Sequence, residues 1–212
     1  MALRTSITYT LSHTYGTFSH TQAANFRSNF RHNQWLARVE QDAASSQEDF
    51  IRHYRNKYQG FPRLPIWMAT EVITLGALSR LYEGMLKLDQ DAVASDYNIQ
   101  PAVLRTWLRT LTYIRNLCAH HARLWNRQLS VAPEMPRHDV RWQAPLTPTN
   151  RRLFAVLLIL RQMMHHHHQG LHWQQCVTQL LEPISEKAYW RTAMGLPDDW
   201  QAHPLWNRVV QE

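Results

Sequence analysis

Seven polar residues recur at spacings that would gather them on one side of a single helix: Arg105, Arg109, Thr112, Asn116, His120, Arg123 and Arg127. At about 100° per residue they fall within an arc of roughly 80°. Arg115 sits at its border, and no acidic residue interrupts the strip. Four arginines on one stripe repel one another, so an anion is expected over them. The equally weighted alternative for Arg105 and Arg109 is pairing with Asp or Glu of neighbouring helices. Arginine offers phosphate a planar fork of N–H groups. Asn116 and His120 stand four residues apart and so stack on one helical face. Histidine has the free side-chain pKa nearest neutrality, which suits proton exchange with a ribose hydroxyl. The set composes a metal-free RNA phosphodiester site that needs neither a carboxylate pair nor a metal cage.

The element that must position this strip is a helix from Pro101 to Trp125. Its other side carries Leu104, Trp107, Leu111, Ile114, Cys118, Ala122 and Trp125, a continuous apolar stripe facing a core. Around it the pattern is helical throughout. Leu3, Ile7 and Leu11 recur at i, i+4, i+8 toward Gly16. No capping residue precedes them. The sequence therefore reads as starting inside a helix, with either an upstream segment missing or a fraying first turn. Further helices are expected over 33–44, from a Ser46/Asp49 capping box to Tyr58, over 66–88 and near 90–96. After the strip, residues 126–150 hold Pro133, Pro136, Pro145 and Pro148 and read as a long proline-rich loop. Asn150 is expected to cap a helix through His168, followed by helices over 171–181 and 184–194 that Gly195 and Pro197 stop. No repeat and no strand alternation is present. The fold expected is all-α, one helical domain over 1–212.

Composition agrees. Six glycines are too few for a turn-rich β protein, and 44% hydrophobic residues allow a substantial core. Net charge is 23 − 16 = +7 with histidines neutral, which draws the chain toward polyanions, nucleic acid first. Cys118 and Cys176 are too few for a disulfide framework and suit a reducing cytosol. The longest apolar run, Leu153 to Leu160, stops at Arg161, too short to span a bilayer. No signal-peptide pattern opens the sequence. A cytoplasmic protein without a membrane segment is expected.

Other features carry less chemistry. His165–His168 are four histidines in a row, yet consecutive helical residues point in four directions and cannot converge on one ion. Cys118 lies on the apolar stripe, away from His120, so Cys118, His120 and His121 are not expected to bind metal. Asp198 and Asp199 read as a turn. Trp67, Trp107, Trp125 and Trp190 read as core anchors. Arg27, Arg31, His32 and Arg38 would extend a basic surface or form a solvated face. No cofactor and no metal is expected.

The stretch Arg115-Asn116-Leu117-Cys118-Ala119-His120-His121-Ala122-Arg123-Leu124-Trp125-Asn126-Arg127 resembles the signature of the Abi-like, abortive-infection family of phage-resistance proteins, its AbiD/AbiF group. Leu64-Pro65-Ile66-Trp67-Met68-Ala69 with Glu71 and Leu78 to Glu83, and Ala193 to Trp200, are similar to it as well. Arg115 followed by His120 is similar to the Arg-x4-His motif of HEPN domains. That spacing alone is unspecific, since Arg27/His32 and Arg161/His166 repeat it; the longer string is what carries the resemblance. The resemblance implies a HEPN-like helical bundle with additional helices, and a homodimer with two motifs facing each other. It implies a metal-independent endoribonuclease acting as a toxin, held by a neutralising RNA or protein antitoxin. Arg115 would contact the scissile phosphate, Asn116 would position it and His120 would be the acid–base residue. Arg105, Arg109, Arg123 and Arg127 would bind RNA. A non-catalytic RNA-binding or protein-interaction module using the same basic face is the alternative.

Overall fold

The computed structural model describes residues 2–164 and 169–207. The run His165–His168 lies outside them. Among the described residues the fold is all-α, with ten α-helices and no strand; one antiparallel bridge pairs Phe26 with Met85. The helices group into two compact units, Met1–Pro101 and Ala102–Glu212.

The first unit holds α1 (Ala2–Tyr15), α2 (His32–Ser45), α3 (Asp49–Lys57), α4 (Ile66–Val72), α5 (Leu75–Gly84) and α6 (Lys87–Ser95). Ile7 and Leu11 of the opening stripe are fully buried, and α1 packs on α4 and α6. The Tyr15 hydroxyl donates to Asp89 at 2.9 Å, tying α1 to α6. Burial holds the Asp89 carboxyl above its ordinary pKa.

Two helix boundaries differ from those expected. The apolar stretch 66–88 is broken at Ile73 and Thr74, whose backbones are extended. Thr74 caps α5 with its hydroxyl, which accepts the Ala77 N–H at 3.2 Å. Ser46 and Asp49 form no capping box: Glu48 holds the cap position of α3, and the Ser46 hydroxyl accepts the Glu48 N–H at 3.3 Å. Periodicity locates an apolar face but is blind to a polar side chain that ends one helix and starts the next.

His32 is buried rather than part of a basic surface. Its Nε2 donates to the His20 carbonyl at 2.8 Å, and its ring packs with Phe26 and Phe30. His20 is 1% exposed. Burial first, and repulsion from His32 second, push its pKa down to about 4. Arg27 donates to Gln90 at 2.8 Å.

The second unit holds most of α7 (Pro101–Ala119), with α8 (Leu153–Met163), α9 (Gly170–Ser185) and α10 (Ala188–Met194). Phe154 through Ile159 are buried, so α8 is the core helix. Arg152 holds its cap position; Asn150 instead donates to the Pro133 carbonyl at 2.8 Å. The core tryptophans are Trp35 in the first unit and Trp107, Trp142, Trp200 and Trp206 in the second. Trp67, expected inside, is 48% exposed. Trp125 and Trp190 are half-buried against each other, with ring centroids 4.5 Å apart. Gly195 ends α10 at φ +74, where a Cβ would also lie 2.6 Å from the Arg152 side chain.

Candidate functional site

The strip residues start on α7, whose buried side carries Leu104, Trp107, Leu108 and Ile114. Ile114 belongs to a small core cluster with Leu129 and Val156, flanked by Leu111, Leu117, Leu124 and Leu160. This packing seats the end of α7 on α8.

The helix stops at Ala119, short of the expected Trp125. His121 adopts the left-handed conformation, φ +52. Across it the Ala122 N–H donates to the Leu117 carbonyl at 2.9 Å and the His121 N–H to the Cys118 carbonyl at 3.0 Å. These are the two bonds of a Schellman helix end. The helical wheel therefore holds for Arg105, Arg109, Thr112, Asn116 and, as the terminal residue, His120. Arg123 and Arg127 are not on the helix. Cys118, expected on the apolar stripe, is exposed: past Ile114 the helix keeps Leu117 against the core and leaves Cys118 outside it.

Residues 126–150 return as a strap along α7, with a short turn of 3-10 helix at Val140–Trp142. The Trp107 indole donates to the Glu134 carbonyl at 2.8 Å. The Thr106 hydroxyl accepts the Glu134 N–H at 2.9 Å, and the Thr110 hydroxyl donates to the Val131 carbonyl at 3.3 Å. Arg152 donates to the Asn126 carbonyl at 2.7 Å, anchoring the start of the strap to α8.

Through this strap Arg127 is brought back to α7. The Tyr113 hydroxyl lies against Ser130 and Arg127, whose hydrogen bonds hold its pKa below the ordinary value. Tyr113 sits seven residues before His120, on the same helical side. It went unnoticed because its partners come from the strap, and no local spacing signals them.

Arg115, Asn116, His120 and Arg123 are exposed, as is Arg109; Arg105 and Arg127 are half-buried. The Arg115 Nη1 donates to the Asn116 side-chain carbonyl at 3.2 Å. The Asn116 backbone carbonyl accepts the His120 N–H at 3.0 Å. Arg127 Nε donates to the Arg123 carbonyl at 3.0 Å. Within this unit Arg141 pairs with Asp139 and Arg191 with Asp198. Among the described residues no three His, Cys, Asp or Glu side chains gather to hold a metal ion, and no helix is long and apolar enough to cross a membrane.

The motif string thus divides in two. Leu117, Leu124 and Trp125 pack; Arg115, Asn116, His120, His121 and Arg123 face outward. The family model of Abi-like proteins matches residues 1–126, more than half of the chain. The protein belongs to the Abi-like, abortive-infection family, and this membership suggests a role in phage defence. The match ends at Asn126, so the block Ala193–Trp200 lies beyond it. No curated protein and no solved structure matches the chain.

Proposed function

We propose that the protein is a phage-defence effector that cleaves RNA as a HEPN-type, metal-independent endoribonuclease. The observation that carries this reading is the outward placement of Arg115, Asn116 and His120 at the end of α7, where Arg115 donates to the Asn116 side chain and His120 closes the last turn through its backbone N–H. Arg115 stabilises charge on the phosphate oxygens. Asn116 orients the Arg115 guanidinium. His120 moves the proton of the 2′-hydroxyl. Arg105, Arg109, Arg123 and Arg127 grip the flanking backbone through charge-assisted hydrogen bonds. A homodimer would set two such clusters face to face, and a neutralising RNA or protein would hold the toxin silent in uninfected cells.

The test is His120→Ala. Wild type is expected to cleave RNA oligonucleotides; the variant keeps RNA affinity and loses cleavage. Equal cleavage by both proteins would remove His120 from the chemistry. RNA binding without cleavage by wild type would instead identify a non-catalytic RNA-binding module.

A further inference from the structure

We propose that His121 is a second catalytic residue of this site, the general acid that protonates the departing 5′ oxygen while His120 takes the proton of the 2′-hydroxyl. The inference rests on the ribonuclease reading above and goes beyond it, since that reading assigns His121 no part.

The first observation is backbone strain. His121 sits at φ +52, in the left-handed region that L side chains enter at a cost in stability. The position it fills asks only for a residue that tolerates this region, and glycine does so best. The same protein uses glycine for the same job in α10. There Gly195, at φ +74, carries the matching bonds, Leu196 N–H to the Arg191 carbonyl at 2.9 Å and Gly195 N–H to the Thr192 carbonyl at 3.1 Å. Folding alone therefore favours glycine at 121. The second observation is that the His121 side chain is exposed and lies outside the apolar cluster that seats the end of α7. A side chain held in a strained backbone without serving the core points to function.

The third is positional. His121 follows His120 directly, five and six residues beyond Asn116 and Arg115. In-line transfer places the attacking and leaving oxygens on opposite sides of phosphorus, so one imidazole cannot serve both in a single step. Two histidines can. The O2′–P bond forms and the P–O5′ bond breaks. The 2′ proton passes to neutral His120, and protonated His121 gives its proton to the 5′ oxygen. The products are a 2′,3′-cyclic phosphate and a 5′-hydroxyl, with no proton gained or lost overall. The left-handed step at His121 takes the chain off the helical path, so the two imidazoles are not held to the spacing of consecutive helical residues.

The experiment uses His121→Gly, which keeps the backbone geometry, and two RNA substrates. One is ordinary RNA. The other carries sulfur in place of the bridging 5′ oxygen at the link that wild type cuts; its thiolate departs without a proton. The variant is expected to melt at a higher temperature than wild type and to bind RNA with unchanged Kd. It should cleave ordinary RNA roughly 10²-fold more slowly, yet cleave the sulfur substrate at close to the wild-type rate. His120→Ala should be slow on both. Wild-type cleavage of ordinary RNA by His121→Gly, or an equal loss on the two substrates, would overturn the assignment while leaving the ribonuclease reading standing. Absence of RNA cleavage by wild type would sink both.

Discussion

The Ala122 N–H donates to the Leu117 carbonyl at 2.9 Å, over a left-handed His121, and this bond marks where the helix carrying the motif stops. Arg115 and Asn116 lie on the last full turn, and His120 closes it. Arg123 and Arg127 belong to the chain that turns back. The arginines of the expected strip are therefore divided between one helix and the chain that follows it.

If the strap holds the strip together, loosening it should be visible before the core fails. Thr106 donates to the Val103 carbonyl at 2.8 Å and accepts the Glu134 N–H at 2.9 Å. Thr106→Val keeps the shape and removes the acceptor. A stability loss of about 1 kcal/mol is expected. Amide exchange should quicken at Glu134 and its neighbours while α8 stays protected. Unchanged exchange at Glu134 would show that this bond does not hold the strap.

The break between α4 and α5 should depend on one hydroxyl. Thr74→Ala removes the acceptor of the Ala77 N–H, and capping substitutions of this kind cost about 1 kcal/mol. Thr74→Ser or Thr74→Asp should restore most of it. Denaturant titration of the three variants checks this; equal stability of the alanine and serine forms would contradict a capping role.

The helical class and most of the helices were legible because apolar spacing records which face is buried. The ends were not. Thr74 starts a helix inside an apolar stretch, and His121 ends one where glycine would have announced it. At the expected site the longer string from Arg115 to Arg127, not the Arg-x4-His spacing, set these residues apart, and the structure places Arg115, Asn116 and His120 exposed at the end of α7. The approach of Tyr113 to Arg127 and Ser130 depends on the strap bonds of Thr106, Trp107 and Thr110, which join residues more than twenty positions apart. Trp67 illustrates the converse error, since a large aromatic on a helix pattern need not face inward.

Acid should unfold the first unit through His20. The unfolded imidazole takes a proton near 6.5, whereas the buried one resists until about 4. Its contribution is complete above pH 6.5 and is lost as pH falls from there toward 4, because the unfolded chain binds more protons over that window. The size is on the order of 3 kcal/mol. His203, lowered chiefly by burial, acts with the same sign in the second unit. Stability measured from pH 8 to 4 should therefore fall more steeply for wild type than for His20→Phe below pH 6.5. Parallel curves would show that His20 is not the group responsible.

RNA affinity should fall steeply with salt, because phosphate contacts release condensed counterions. Arg123 is exposed beside the motif. Arg123→Gln should flatten the plot of log K against log salt by about one ion, roughly 0.7 in slope for single-stranded RNA. The change should be the same for RNAs of different sequence, since phosphate contacts carry no sequence information. An unchanged slope would place the RNA elsewhere on the surface.

The chemistry of cleavage should follow from the residues at the helix end. Arg115, Asn116 and His120 include no carboxylate, and a metal route would draw on carboxylate ligands that they do not supply. The nucleophile left is the 2′-hydroxyl of the substrate. DNA of matched sequence should therefore remain intact, because it lacks that group. The RNA fragments should end in a 2′,3′-cyclic phosphate on one side and a 5′-hydroxyl on the other, which mass spectrometry and end-labelling distinguish from 3′-hydroxyl and 5′-phosphate ends. EDTA should leave the rate unchanged. Arg115→Ala should slow cleavage by roughly 10²–10³-fold, the loss typical of removing one donor to a developing oxyanion. Arg115→Lys should recover little, since a point charge does not reproduce the planar fork. Loss of activity in EDTA with recovery on adding Mg²⁺ or Zn²⁺ would overturn this mechanism and turn attention to the histidine run at 165–168 as the source of ligands.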